Sequence, residues 1–313
     1  MEFQALTLNT ITAAAWGFVS CFVLCVLLVV TKRWHGGLTM DFTDGIQKFH
    51  TAPTPRIGGI PIVLGLVFAW SVAQQDLKDL LLPILLAGMP AFMFGVAEDL
   101  TKRVGVLQRL LATMASGLLA WWITDYSLSR LDVWGADWLL RYTLASVVFT
   151  AFAVGGVANS INIIDGFNGL ASTMSSLAFI GFAIIAWQVG DHALVGASIV
   201  LAGCVWGFFW LNWPFGKIFL GDGGAYLIGF WVATLSVLII NRHNQISPWF
   251  AVMVNAYPIV ETLFTIYRRK FHQGKSPGHP DGIHFHSLIF RRILNPSHIH
   301  NELEWFSANA KTS

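Results

Sequence analysis

The chain has 313 residues, of which 55% are hydrophobic and only 12% charged, with a formal net charge of +2. A soluble globular domain carries about a quarter charged residues, so the composition describes an all-α polytopic membrane protein, and a charge this near zero calls for no nucleic-acid partner. Fourteen tryptophans and twenty-four phenylalanines tilt the balance further toward the lipid bilayer.

A helix needs about 20 apolar residues to cross the hydrocarbon. In chain order the apolar runs predict nine spans, 11–31, 57–74, 80–97, 109–124, 143–163, 169–189, 193–211, 223–240 and 248–267, and a tail over 268–313. The whole of 1–313 reads as one membrane domain, without an internal repeat or a soluble second domain. Glu2 and no basic residue precede the first span, while Lys32 and Arg33 follow it. That is the order of an anchor that stays, not of a cleaved leader. The spans near 57, 169 and 223 begin in glycine-rich sequence, so irregular first turns are expected there. Cys21, Cys25 and Cys204 lie inside apolar runs without metal-ligand spacing and read as small buried hydrophobes.

The loops between nine spans fall into two alternating sets. One holds 32–56, 98–108, 164–168, 212–222 and the tail; the other carries only Lys78, Arg130, Arg141 and Arg242 of the nineteen lysines and arginines. The positive-inside rule then puts the first set in the cytoplasm and the N-terminus outside. Trp134 and Trp138, in the longest outer loop, suit a membrane interface. The same division gathers the unusual polar residues at the cytoplasmic face: Glu98, Asp99, Asn159 to Asn168, Asp222, and His272, His279, His284, His286, His298 and His300. A transport pathway would spread ionisable groups toward the midplane. Glu261 in the ninth span is the best candidate for one, with a place near the cytoplasmic end of that span as the alternative.

Four stretches carry the chemistry. In "GVAEDLTKRVG", Glu98 and Asp99 are adjacent carboxylates that repel unless a cation is near, and Lys102 and Arg103 follow within a turn. Such a group could bind Mg²⁺ and phosphate together, or it could be a solvated helix end. In "NSINIIDGFNGLAS", Asn159, Asn162 and Asp165 recur at three-residue steps and so sweep along one side of a helix end. Asp165-Gly166 breaks that helix and Asn168-Gly169 starts the next. Polar groups in hydrocarbon are expensive, so the cluster implies partners, water or a ligand, with a polar seam between helices as the plainer reading. In "KIFLGDGGAYLIG", Asp222 sits among glycines at the start of a span. There backbone can approach a ligand closely, or the aspartate can simply cap the helix. In "GKSPGHPDGIHFHSLIFRR", His284 and His286 alternate with apolar residues and precede Arg291 and Arg292. The H-x-H pair could ligate zinc, but the surrounding cations suit a polyanion better, and the basic run Arg268 to Lys270 could also lie on anionic lipid. Together the four suggest Mg²⁺-assisted transfer of a phosphate, with one reactant reached from the membrane and one from the cytoplasm.

"HTAPTPRIGGIPI", "AEDLTKRVG", "NSINIIDGFNGLAS", "NWPFGKIFLGDGGAYLIG" and "PDGIHFHSLIFRR", in that order and sidedness, resemble the polyprenyl-phosphate N-acetylhexosamine-1-phosphate transferases over roughly 32–292. The resemblance implies an enzyme of a bacterial inner membrane, with its active site cytoplasmic. It would move sugar-1-phosphate from a UDP-N-acetylhexosamine to undecaprenyl phosphate and release UMP, with Mg²⁺, or alternatively Mn²⁺, as cofactor. By resemblance Asp222 is the metal ligand beside the pyrophosphate. Glu98 and Asp99 are the acidic pair for metal handling and for activating the lipid phosphate, with Asp99 as base and second metal ligand and Glu98 as the alternative base. Lys102 contacts phosphate. Asn162 and Asp165 match the family's Asn-x-x-Asp; Gly166, Asn168, Asn212 and Phe219 match the uridine pocket; His284 and His286 match the first two histidines of a nucleotide-sugar motif. "TPRIGG" and "DGIHFH" look more like the branch that starts O-antigen, capsule or teichoic-acid chains than the MurNAc-pentapeptide branch. A homodimer is left open.

The sequence departs from the family pattern at Glu98, where the pair is usually two aspartates, at Asn168 in place of the second aspartate of D-G-x-D, and at Ser287 in place of a third histidine. Nine spans stand against the family's ten or eleven. The alternative these departures imply is a truncated or catalytically impaired relative that binds lipid phosphate or nucleotide sugar without turnover.

Overall fold

Each apolar run folds as helix, as hydrocarbon requires, because only internal hydrogen bonding satisfies the backbone there. The computed structural model describes residues 2–41, 53–274, 283–294, 308–309 and 311–312. The elements in order are α1 (Glu2–Val30), α2 (Lys32–Thr39), the short antiparallel pair β1 (Met40–Asp41) and β2 (Thr54–Pro55), α3 (Gly59–Val72), α4 (Gln75–Ala87), α5 (Met89–Thr101), α6 (Val106–Thr124) and α7 (Ala136–Leu140). They continue with α8 (Thr143–Ile164), α9 (Leu170–Gln188), α10 (His192–Asn212), α11 (Gly221–Arg242), α12 (Pro248–Val254), α13 (Ala256–Tyr267), a π-helical turn (Arg268–His272) and α14 (Phe285–Arg292).

Among the described residues six helices are long and apolar enough to cross a bilayer: α1 from Leu8, α6, α8, α9, α10 and α11. Two bent pairs, α4 with α5 at 45° and α12 with α13 at 78°, bring the number to as many as eight. The run at 57–74 folds as α3, whose 14 residues rise only about 21 Å against hydrocarbon about 30 Å thick. The expected single span 80–97 is thus two helices broken at Gly88, and 248–267 is two helices broken at Asn255. Proline explains both breaks. Pro90 and Pro258 cannot donate to the carbonyls four residues back, Leu86 and Val254, and their rings clash with them.

The polar ends gather around α11. Its candidate span is 94% buried, far more than any helix with a lipid-facing side, and α3, α5, α6, α8 and α9 pack around it. Its "GDGG" start lets neighbouring backbones come close. A Cβ on Gly59 would lie 2.5 Å from the Gly224 nitrogen, and one on Gly95 would lie 2.5 Å from Gly223. Any larger residue at these points would push α3 or α5 away and pull Arg56 and Asp99 off the α11 terminus. The three cysteines are buried and free, as their apolar settings predict.

Candidate active site

Asp222 occupies the first turn of α11 and is 2% exposed. An isolated charge there would be costly, and three other parts of the chain supply partners. Arg56, just before α3, donates through Nη2 to Oδ1, and Arg109, in the first turn of α6, donates through Nη1 to Oδ2. Asn162, near the end of α8, donates to Oδ1 at 3.2 Å, and the Tyr226 hydroxyl donates to the Asn162 side-chain oxygen at 3.3 Å. Burial opposes the Arg56 charge, but the carboxylates of Asp222 and Asp99 outweigh it and hold the guanidinium above its ordinary pKa. Arg109 has a further donor, Nε, buried with no hydrogen-bond partner among the described residues.

Asp99, 4% exposed, closes α5 against this cluster. Its Oδ1 accepts from the Asp222 amide and its Oδ2 from the Gly223 amide, both at 2.9 Å, and Arg56 Nε lies 3.2 Å from Oδ1. It therefore satisfies two of the free N–H groups that open α11 and complements the helix dipole. Both oxygens are engaged, so Asp99 fixes where Asp222 stands. Glu98 is half-buried and turned to its own loop, where Oε2 accepts from the Val104 amide at 2.8 Å. Lys102 ends α5 in a left-handed conformation; burial and then the Arg56 guanidinium lower its pKa. Asp165, just past α8, receives no hydrogen bond on its carboxyl among the described residues. Burial pushes its pKa up to about 7, against the pull of Arg56 and with the Asp222 and Asp99 carboxylates adding to the rise.

The histidine segment meets the same α8–α9 break from α13. A Cβ on Gly166 would lie 2.8 Å from His286 Nε2, so only glycine leaves room for that ring. The His286 ring packs edge-on to Phe167 at 5.6 Å and stacks on His284 at 5.4 Å. Its Nδ1 lies 3.2 Å from the Tyr257 hydroxyl. Burial and then the His284 ring depress its pKa to about 4, so His286 is neutral at physiological pH. His284 Nδ1 is 2.9 Å from Glu261 Oε1. Beside this pair a groove of about 610 Å³ opens along α13, lined by Tyr257, Val260, Phe264, Ile283, Phe285 and Leu288, with Arg268 at its edge.

The expected uridine-pocket residues take structural hydrogen bonds. Asn212 closes α10, accepts from the Gly169 amide at 2.6 Å and donates to the Ile218 carbonyl at 2.8 Å. Phe219 exchanges backbone bonds with Gly58 and Pro55. Asn168 is buried, and its side-chain amide donates to the Pro214 carbonyl at 3.2 Å. Together they tie the 213–220 loop to the start of α9.

The structure thus brings Asp222, Asp99, Asn162, Arg56 and Arg109 into one network, with Glu98, Lys102 and Asp165 at its edge and Gly166, His284 and His286 on the far side of the α8 terminus. Sequence reasoning counted Arg56 and Arg109 as loop charges only, and missed Tyr226 and Tyr257. Arg56 stood inside a quoted motif, and Arg109 stood one turn after a loop rich in charge. Glu261 sits with His284 and not alone in a pathway. His279, His298 and His300 lie outside the described residues.

Hard oxygen donors of this kind suit Mg²⁺. Among the described residues no group of three or more His, Cys, Asp or Glu is placed to hold a metal. The set fits an ion that takes one or two carboxylates and fills its other positions with water and substrate phosphate. Asp222 and Asp165 are the carboxylates that would serve.

Buried acids, two guanidiniums and paired imidazoles thus gather at one end of the helical bundle, a set of charges and donors suited to phosphate. A family model described as glycosyl transferase family 4 matches residues 81–240, and the chain belongs to that family. It is similar to the undecaprenyl-phosphate alpha-N-acetylglucosaminyl 1-phosphate transferase of Salmonella typhi, at 28% identity over 87% of this chain and 75% of that protein. The protein of the same name from Escherichia coli K12 is also 28% identical, over 91% of this chain and 77% of its own. The decaprenyl-phosphate N-acetylglucosaminephosphotransferase of Mycobacterium tuberculosis is 29% identical over 82% and 69%.

Proposed function

We propose that the protein transfers N-acetylhexosamine-1-phosphate, N-acetylglucosamine-1-phosphate first among the choices, from a UDP-sugar to undecaprenyl phosphate. The observation that carries this reading is Asp222, a buried carboxylate at a helix start, held between two guanidiniums that a pyrophosphate could take over. A phosphate oxygen of the lipid attacks the phosphorus that bears the sugar, the bridging P–O bond breaks, and UMP leaves with the bond's electrons. The nucleophile is already anionic, so the barrier is chiefly charge repulsion, and fixed cations are the natural catalysts.

Arg56 and Arg109 serve as those cations, and the unpartnered Arg109 Nε is a donor to spare for a phosphate oxygen. Mg²⁺, when bound by Asp222 and Asp165, would neutralise the pyrophosphate and stabilise the leaving UMP. Asp99 acts by holding the α11 terminus in place, because ligating a metal would cost it two amide bonds. Glu98, freer than Asp99, is the better candidate to take a last proton from the lipid phosphate. Neutral His286 lies against the α8–α9 break, where the nucleotide sugar is read. The apolar groove along α13 offers a place for the isoprenoid chain. With the short α3 counted as a ninth crossing, as a locally thinned bilayer allows, fifteen of the nineteen lysines and arginines lie in the loop set that includes the site, which supports the site and tail in the cytoplasm and the N-terminus outside. The first step of a surface polysaccharide such as O-antigen or capsule is the role that fits.

Glu98 accepts from the Val104 amide of its own loop and Asn168 donates to the Pro214 carbonyl, so both departures are accommodated in the fold. Membranes bearing the protein, supplied with undecaprenyl phosphate and Mg²⁺, should release UMP from one member of a panel of UDP-N-acetylhexosamines. A folded sample that binds UDP-sugar but turns over no member of the panel contradicts the reading.

A further inference from the structure

Glu261 is buried on α13, just past the 78° break with α12. A carboxylate there needs partners, and it finds them on one short segment. His284 Nδ1 is 2.9 Å from Oε1, and the Phe285 amide donates to both oxygens at 3.3 Å. The Thr265 hydroxyl lies 3.4 Å from Oε1 and 3.3 Å from His284 Nδ1. Phe285 is the first residue of α14, and the N-cap residue, His284, makes no side-chain cap bond of its own. Glu261 therefore caps α14 from another helix. Accepting from Nδ1–H also fixes the His284 tautomer and leaves Nε2 to face elsewhere. His284 in turn stacks on His286, whose ring is held by the Tyr257 hydroxyl one turn before Glu261.

We propose that Glu261 is the positioning residue of the H-x-H segment. It orients the stacked imidazoles of His284 and His286 toward the α8–α9 break, so that they recognise the phosphate-bearing part of the nucleotide sugar. This rests on the transferase reading above. A carboxylate isolated within a span otherwise resembles a transport residue, and its bonding to α14 removes that comparison.

The test uses the full chain in lipid nanodiscs. Nitrogen-15 histidine NMR near neutral pH, with the His284 signal identified by its loss in His284→Gln, reports the tautomer directly. Steady-state UMP release with UDP-N-acetylglucosamine reports KM and kcat. Wild type is expected to show His284 protonated at Nδ1. Glu261→Gln is expected to shift that resonance and raise KM about tenfold, with kcat little changed, as loss of one charge-assisted bond implies. Glu261→Asp, shorter but still charged, should recover part of the affinity. An unshifted His284 resonance in Glu261→Gln overturns the positioning role, and a shifted resonance with wild-type KM overturns its link to the nucleotide. Should Glu261→Gln not fold, a wild-type His284 signal that reports a proton on Nε2 and none on Nδ1 overturns the proposal. If wild type releases no UMP from any UDP-sugar, the transferase reading fails, and the NMR result still decides whether Glu261 sets the His284 tautomer.

Discussion

Two buried aspartates mark the two ends of the α11 region; one faces an arginine and a histidine, the other two arginines. Asp191, 6% exposed, caps α10 through Oδ1 to the Leu194 amide at 3.0 Å. Its Oδ2 meets Arg242 Nε at 3.0 Å and His243 Nε2 at 2.8 Å, both at the C-terminal end of α11. That cluster joins a loop to a helix end, and one acid is matched by its partners. At Asp222 the balance differs. Asp99 and Asp165 crowd the same site, Asp165 receives no hydrogen bond among the described residues, and Arg109 keeps a buried donor without a partner. Two aspartates of similar burial therefore differ in balance: the Asp191 cluster is saturated by its own chain, and the Asp222 cluster keeps crowded carboxylates and a buried donor without a partner among the described residues.

The largest difference should come from truncating each aspartate. Asp222→Ala is expected to lower kcat by a factor of roughly 10²–10³, the scale of losing a preorganised electrostatic group, while a folded, helical protein is recovered. Retained activity would place the chemistry elsewhere. Asp191→Ala should leave kcat unchanged and cost about 2 kcal/mol of stability, read as a lower midpoint in a thermal melt. That is below the figure for a fully buried pair, because the Arg242 side chain is 30% exposed and can regain water. An unchanged melt would show that the Asp191 cluster locks nothing.

A smaller effect belongs to the loop that backs the site. Asn168→Asp, which restores the family's usual acid, would set a carboxylate against the Pro214 carbonyl that now accepts the amide. The expected loss is about 1–3 kcal/mol of stability, the cost of leaving a buried acceptor unmatched. A gain in stability would mean that the aspartate finds another partner. An effect confined to acid pH is the titration of His286. Its folded pKa of about 4 lies below the ordinary histidine value, so between about 6.5 and about 4 the unfolded chain binds a proton that the folded chain refuses. Its contribution to stability is complete above that window and is lost as pH falls through it. Melts of wild type and His286→Gln should diverge on acidification and run parallel above the window.

The helices were legible because lipid leaves the backbone one option and a minimum length. The breaks at Gly88 and Asn255 were not read, although Pro90 and Pro258 were in view, since hydropathy averages across a kink. The acids and amides of the site stood out because such groups are rare in apolar sequence. Asp222, Asn162, Asp165 and the paired histidines come from four distant stretches and meet, as their common sidedness implied. Arg56 and Arg109 did not stand out, because an arginine beside a span is first of all a sign of orientation. The part played by Asp99 was also hidden: nothing in "AED" says that its oxygens will meet the amides at 222 and 223. The partners of Glu261 were hidden for a related reason, since His284 and Phe285 lie more than twenty residues further along the chain.

The central claim is that a sugar leaves its nucleotide together with a phosphate, and an isotope can follow that phosphate. UDP-N-acetylglucosamine carrying ³²P only at the phosphorus bonded to the sugar would be given to the wild-type protein with undecaprenyl phosphate and Mg²⁺. The account predicts that the label moves into the lipid extract while unlabelled UMP appears in the water phase. Label retained in a water-soluble UDP while sugar enters the lipid would contradict it.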